Sequence, residues 1–132
     1  MKKLVSLFIF VVFGAGGAFA EMLTDTYAGE WSGSGHDLGS DNGSWEVQLT
    51  IGPFVSEVSY PDFPCTAVWE YIDLTEGAFY AREVLTTGQS NCTDGFFISV
   101  QKYAADQLYV RWLAPSGTEY SNAILSRVEP KK

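Results

Sequence analysis

Apolar and polar residues alternate in short stretches along this chain. The clearest stretch is residues 45–51, Trp-Glu-Val-Gln-Leu-Thr-Ile, in which every second residue is apolar. Because successive side chains of a β-strand point to opposite faces of a sheet, a period of two predicts strands with one buried face. No long segment after residue 20 has the 3.6-residue period of an amphipathic helix. The pattern therefore predicts an all-β fold.

Turn residues divide the alternating sequence into eight stretches. The predicted strands are residues 27–33, 44–51, 55–60, 66–74, 78–87, 96–103, 108–113 and 119–128. The connections are short and rich in Gly, Pro, Asn and Asp, so we expect strands that are neighbours in sequence to pair antiparallel. An eight-stranded meander loses its exposed edges by closing on itself. The sequence therefore predicts a single antiparallel up-and-down eight-stranded barrel.

The first twenty residues have the features of a cleavable export signal. Lys2 and Lys3 precede a mostly apolar run over residues 4–13, and residues 18–20 read Ala-Phe-Ala, an A-x-A cleavage pattern. An uncleaved membrane anchor is the alternative, although a membrane span needs about 17 to 25 apolar residues. We therefore expect a signal peptide at residues 1–20 and one domain at residues 21–132. That domain is expected to be periplasmic or secreted in a bacterium, without insertion into a membrane.

The exported domain carries a large negative charge. Removal of Lys2 and Lys3 with the signal changes the formal charge from −8 to −10, because sixteen acidic and six basic residues remain. Nucleic acid binding requires a basic patch, so a nucleic acid partner is not expected. The charge favours a cationic partner such as a basic protein; charge that only maintains solubility is the alternative.

Cys65 and Cys92 are the two cysteines of the chain, and both lie in the exported domain. An isolated pair in an oxidising compartment predicts a structural disulfide. A catalytic redox pair usually has the spacing C-x-x-C, and a zinc site requires further Cys or His ligands. Neither pattern occurs in this sequence.

Residue parity assigns a set of aromatic and aliphatic side chains to the interior. An eight-stranded barrel encloses room for side chains or for one small ligand. We expect a mostly filled interior, with any cavity narrow and confined to one mouth. The inward set is Trp31, Trp45, Val47, Leu49, Ile51, Val58, Tyr60, Ala67, Trp69, Phe79, Leu85, Phe96, Ile98, Val100, Leu108, Val110, Trp112, Ala123 and Leu125.

Two charged residues, Glu83 and Arg127, also fall on the inward parity. Glu83 shares a face with Phe79 and Leu85, and Arg127 shares a face with Leu125. An unpaired buried charge is costly, so each residue requires a partner. They could satisfy each other or nearby polar groups, or Arg127 could cap a Trp ring. The functional alternative is that they anchor a ligand at the barrel mouth.

Two short motifs resemble those of a known group of barrels. Gly29, Glu30 and Trp31 on the first predicted strand, with Arg127 on the last, resemble the Gly-x-Trp and terminal Arg pairing of calycins such as lipocalins and avidins. The resemblance implies a calycin-like barrel in which the Trp closes one end and the Arg packs across it.

A longer stretch, from residue 60 to residue 112, resembles a small extracytoplasmic domain of bacteria. That domain is sometimes appended to membrane-bound serine/threonine kinases. The matching features are Tyr-Pro at residues 60–61, Cys65, a strand that contains Glu83, and Asn-Cys-Thr-Asp-Gly at residues 91–95. The resemblance implies a disulfide-linked β module for sensing or binding outside the cytoplasm, with no established chemistry.

Patterns that would support catalysis or metal binding are sparse. His36 is the single histidine, it lies in a glycine-rich stretch that we expect to be a mobile loop, and no Gly-x-Ser-x-Gly elbow accompanies it. Residues 37–43 offer oxygen ligands, but they lack the third-position acid and the closing glutamate of a calcium-binding EF-hand. We therefore expect no enzyme activity, no cofactor and no metal.

These features predict an exported, non-enzymatic binding module. It would take a small ligand or an envelope component at a barrel mouth or on an aromatic outer face. The alternative is a protein–protein role, such as inhibition of a basic extracytoplasmic enzyme. The candidate ligand-binding residues are Trp45, Trp69, Glu83 and Arg127. The candidates for a surface interface, all assigned to the outer face, are Tyr71, Tyr80, Tyr109 and Arg111; cross-strand pairing alone is the alternative for these.

Overall fold

A computed structural model describes residues 26–39 and 43–129 of the chain. These residues form a closed barrel of eight antiparallel strands in up-and-down order, which confirms the prediction. The strands are β1 (Gly29–Asp37), β2 (Ser44–Ile51), β3 (Val55–Tyr60), β4 (Cys65–Leu74), β5 (Ala78–Thr87), β6 (Phe97–Ala104), β7 (Gln107–Leu113) and β8 (Glu119–Arg127). The predicted signal peptide at residues 1–20 lies outside the described residues. Within the described ranges, no helix has the length and apolar character that a membrane span requires.

Side chains that parity assigned to the interior fill the barrel. Val47, Val110 and Leu125 are completely buried, whereas Trp45 and Phe96 are partly buried and pack against the core near one end. Burial of one large apolar side chain contributes about 1.5–3 kcal/mol. Burial of this set is therefore the main source of stability for the barrel.

Strand β1 is longer than the sequence indicated. The prediction ended the strand at Gly33 and treated the following glycine-rich residues as a mobile loop, which is wrong, because β1 continues to Asp37 and pairs with both β2 and β8. The glycines serve close packing here. A Cβ at Gly35 would lie 2.5 Å from the ring of Trp45, and a Cβ at Gly33 would collide with the carbonyl oxygen of Ile124. Glycine inside a strand often marks such a close approach.

Trp31 and Arg127 close one end of the barrel. The guanidinium carbon of Arg127 lies 4.2 Å from the centre of the Trp31 ring, a cation–π contact. Arg127 also donates to the carbonyl oxygen of Ala28 at 2.7 Å and to the carboxylate of Asp106 at 3.1 Å. The indole nitrogen of Trp31 donates to the carbonyl oxygen of Tyr27 at 2.8 Å. The inward arginine is therefore satisfied at this end, which we call the closed end.

The opposite end carries the β1–β2, β3–β4, β5–β6 and β7–β8 loops, because antiparallel strands place alternate connections at the same end. Cys65, the first residue of β4, is bonded to Cys92 in the β5–β6 loop, which confirms the predicted disulfide. The bond fixes the β5–β6 loop to the barrel wall beside the opening. A disulfide in a small barrel is consistent with an oxidising compartment.

Candidate functional site

A cleft, the mouth cleft, opens between the loops at this second end. Its volume is about 710 Å³, within the range of roughly 300–1,000 Å³ that is usual for small-molecule sites. The cleft lies at one mouth of the barrel, where a cavity was expected. Small residues such as Gly95, Ala114 and Ser121 line part of it and leave space that larger side chains would fill.

Glu83 lies at the inner end of the mouth cleft. It is inward-facing on β5 and only 3 % exposed. The indole nitrogen of Trp69 donates to Glu83 Oε2 at 2.9 Å, and the Tyr60 hydroxyl donates to the same oxygen. The indole nitrogen of Trp112 in turn donates to the Tyr60 hydroxyl oxygen at 2.9 Å. Four side chains from strands β3, β4, β5 and β7 thus form one buried hydrogen-bonded network.

Burial dominates the electrostatics of this network. Desolvation raises the pKa of the Glu83 carboxyl, and the hydrogen bonds from Tyr60 and Trp69 only partly oppose that effect. The pKa of the Tyr60 hydroxyl is raised well above its ordinary value, first by burial and then by the neighbouring Glu83. The phenol therefore remains a proton donor at neutral pH, and the carboxyl is the group whose charge responds to its surroundings.

Two carboxyl groups in the mouth cleft share one arrangement. Every hydrogen bond that a described residue donates to Glu83 goes to Oε2, and none goes to Oε1. At Asp37, the last residue of β1, the indole nitrogen of Trp45 and the hydroxyl of Ser121 both donate to Oδ1, at 3.2 and 2.7 Å. Among the described residues, no donor reaches Asp37 Oδ2. Within the described part of the chain, each acid therefore has one oxygen to which no residue donates.

Aromatic rings form the walls of the mouth cleft. The Trp45 ring centre lies 5.2 Å from that of Trp112 and 6.0 Å from that of Phe63, and Trp112 also packs edge-on against Trp69 at 6.1 Å. These offset and edge-on contacts are the arrangements that aromatic pairs favour. At the rim, Phe63 is 38 % exposed, and Leu38 and Tyr120 expose about half of their surface. The cleft thus combines a polar inner end with an apolar rim.

Three of the four predicted ligand-binding residues meet at this end of the barrel. Trp45 lines the mouth cleft, Glu83 lies at its inner end, and Trp69 supports Glu83 from the core side. Arg127 lies at the closed end and does not join them.

Sequence reasoning missed three residues of the site. Asp37 was placed in a loop, whereas Tyr60 and Trp112 were recognised only as core residues. Trp112 donates to the Tyr60 hydroxyl across a sequence separation of 52 residues, and this contact depends on strand register. The signal that could have found Asp37 is the alternation Trp31, Gly33, Gly35, Asp37 along β1.

The candidates for a surface interface do not form one set. Tyr71 was assigned to the outer face, which is wrong: its hydroxyl contacts Ser56 at 2.7 Å and the carbonyl oxygen of Gly52 at 2.7 Å, and its ring packs on Phe79 inside the barrel. Tyr71 follows Trp69 by two residues and so shares its inward face, since the register of β4 shifts only after Tyr71.

The other three surface candidates do lie on the outer face. Ser99 of β6 is paired with Tyr80 of β5 on one side and with Arg111 of β7 on the other. Tyr109 packs near Tyr103. Arg111 donates to the Ser99 hydroxyl at 3.3 Å and lies 3.7 Å from the carboxylate of Glu119, outside hydrogen-bond distance. Cross-strand contacts therefore account for much of the Arg111 environment.

Within the described residues, no three His, Cys, Asp or Glu side chains are grouped so that they could hold a metal ion. His36 is exposed and points outward from β1. Comparison of the chain with family models, curated proteins and solved structures gives no match.

Proposed function

We propose that this protein is an exported, non-enzymatic binding module that takes a small ligand in the mouth cleft. The observation that carries the proposal is a nearly buried carboxyl at the inner end of the cleft, with one oxygen that no described donor contacts. A buried acid is costly unless its hydrogen-bonding capacity is used. A ligand that fills the cleft would use the remaining oxygen of Glu83 and displace water from the aromatic walls.

Several sequence features support a location outside the cytoplasm. The first twenty residues have the pattern of an export signal, and the disulfide fits an oxidising compartment. The resemblance to an extracytoplasmic domain of bacterial kinases, and the calycin-like barrel with one open end, are in keeping with a sensing or carrier role. In this proposal the barrel is the rigid frame and the loops at the open end provide selectivity.

A screen with matched phenylalanine variants tests the proposed function. The exported domain is screened by thermal shift and tryptophan fluorescence against small neutral, cationic and anionic molecules. Phe63→Ala removes a ring from the rim, whereas Phe54→Ala removes a 76 % exposed ring from the β2–β3 loop at the closed end. Hits are expected to lose about tenfold in affinity, equivalent to about 1.4 kcal/mol, in the first variant only.

Two results would overturn the proposal. One is a screen in which no molecule binds the unmodified domain. The other is an equal loss of affinity in Phe63→Ala and Phe54→Ala, because the ligand would then not occupy the mouth cleft.

A protein partner is the second candidate, and the exposed rim favours it. Leu38, Phe63 and Tyr120 are apolar and exposed around one opening, and exposed apolar groups beside an acidic surface suit a basic protein. Complexes with basic extracytoplasmic enzymes would then weaken steeply with added salt, because salt screens attraction between opposite charges. Binding that does not change with salt would contradict this second candidate.

A further inference from the structure

We infer that the ligand of the mouth cleft is a small organic cation, a protonated amine or an ammonium group joined to an apolar body. This inference rests on the proposed function and specifies its ligand class. Three properties of the cleft support it: the sign of its charge, the hydrogen-bonding capacity left in its wall, and the nature of its surface.

The charge lining the cleft has one sign. Asp37, Glu83 and Asp94 line it, and no described lining residue is Lys, Arg or His. Asp94 is held in the same way as the other two, because its Oδ1 accepts from the backbone nitrogens of Leu85 and Gly95 at 3.0 and 2.9 Å. The three acids together provide the negative field inside the cleft, where restricted access of water strengthens the attraction of a cation.

The indole and phenol donors next to Asp37 and Glu83 already have acceptors in the protein. The indole nitrogens of Trp45, Trp69 and Trp112 all donate to protein oxygens, as does the hydroxyl of Tyr60. An anion entering the cleft would meet three acids and no free indole donor. An ammonium group has the opposite requirement, since it donates three hydrogen bonds and accepts none. Glu83 Oε1 and the second oxygen of Asp37 match that requirement.

The aromatic walls add a second form of cation recognition. Trp45 and Trp112 line the cleft beside Tyr60, within one cluster of edge-on ring contacts. The face of an aromatic ring attracts a cation, and Trp is the strongest of these rings. The exposed rim residues Phe63 and Tyr120 would contact the apolar body of the ligand, so that its charged end points inward.

Three probes that share a phenethyl group and differ in their polar end test the inference. Phenethylamine, phenethyl alcohol and hydrocinnamate carry the same aromatic body with a cationic, a neutral and an anionic end. Calorimetric titration of the exported domain is expected to give an amine affinity at least about tenfold above that of the alcohol, with the carboxylate weakest. Glu83→Gln is expected to reduce the amine affinity by a much larger factor than the alcohol affinity, and so to weaken the preference for amine over alcohol.

Further variants separate a charge effect from a folding effect. Asp37→Asn removes charge near the rim and is expected to reduce amine affinity by a smaller factor than Glu83→Gln. Glu57→Gln removes the same charge from an exposed outward position on β3 and is expected to leave all three affinities unchanged. Circular dichroism of each variant confirms that the barrel is retained, and Asp37→Asn remains informative if Glu83→Gln does not fold.

The outcomes distinguish this inference from the proposed function. If alcohol or carboxylate binds as tightly as amine, or if only molecules of other kinds bind, the cation inference is overturned and the small-ligand proposal stands. If no small molecule binds the domain at all, both the cation inference and the small-ligand proposal are overturned.

Discussion

At the scale of single residues, Glu83 shows which features of the site can be predicted from the sequence and which cannot. Alternation along β5 placed this acid on the inward face, and the structure confirms that position. What alternation could not supply was its partners. Tyr60, Trp69 and Trp112 lie on three other strands. Only the register of those strands brings Tyr60 and Trp69 to the carboxyl and Trp112 to the Tyr60 hydroxyl.

The raised pKa of Glu83 predicts a pH-dependent effect of Glu83→Gln. A folded-state pKa above the unfolded value means that the carboxyl favours folding when protonated and loses that contribution as pH rises through the folded pKa. Glutamine keeps an acceptor oxygen for Tyr60 and Trp69 but never ionises. The Tm of the variant minus that of the unmodified protein is therefore expected to increase from about pH 4 to about pH 8, with each unit of pKa shift equivalent to about 1.4 kcal/mol.

Glu57→Gln provides the matched control for this measurement. Glu57 is exposed and outward-facing on β3, so its substitution is expected to change Tm by a small amount that varies little over the same range. A difference in Tm for Glu83→Gln that is constant with pH would contradict the account of Glu83.

At the scale of strands and loops, β1 shows why the sequence was misread. Glycine is unfavourable in strands and common in loops, so local propensity predicted a loop after Gly33. Packing decides the outcome instead, because Gly33 allows close approach of the β8 backbone and Gly35 accommodates the Trp45 ring. The other strands begin or end within a few residues of their predicted bounds, since clear turn residues mark them.

The disulfide between Cys65 and Cys92 couples the β5–β6 loop to the barrel. Replacing both cysteines with alanine is expected to lower the free energy of unfolding by about 3–4 kcal/mol on the loop-entropy model, for the observed sequence separation of 27. Urea denaturation of the purified domain measures the loss. Because this loop lines the mouth cleft, the affinity for phenethylamine is expected to fall as well.

Reduction of the unmodified protein gives an independent comparison. The reduced protein and the double alanine variant are expected to have similar urea midpoints. Equal midpoints for reduced and oxidised protein would show that the bond does not constrain the chain.

At the scale of the whole molecule, the residues that stabilise one end of the barrel lie opposite the residues proposed to bind a ligand. The closed end holds Trp31 and Arg127, and the open end holds Glu83 and the mouth cleft. Sequence reasoning grouped Arg127 with Glu83 because parity reports the face of a strand but not the position along the barrel axis. Position along the axis follows from strand register, which the sequence does not specify directly.

Arg127→Met tests this separation. Methionine keeps an apolar stem over Trp31 but removes the cation–π contact and the bonds to Ala28 and Asp106. The free energy of unfolding is expected to fall by about 1–2 kcal/mol, as measured by urea denaturation. Phenethylamine affinity is expected to stay within about twofold, since the altered side chain is remote from the cleft. A large loss of affinity with little loss of stability would contradict the assignment of the two ends.

The most direct test of the mouth cleft follows the four tryptophan indole resonances by heteronuclear NMR during titration with phenethylamine. Trp45, Trp69 and Trp112 belong to the cleft and its supporting network, whereas Trp31 donates to Tyr27 at the closed end. We predict that the first three indole signals shift together along one saturable curve while the Trp31 signal remains fixed. No shift at saturating amine, or an equal shift of the Trp31 signal, would contradict a ligand site at the open end of this barrel.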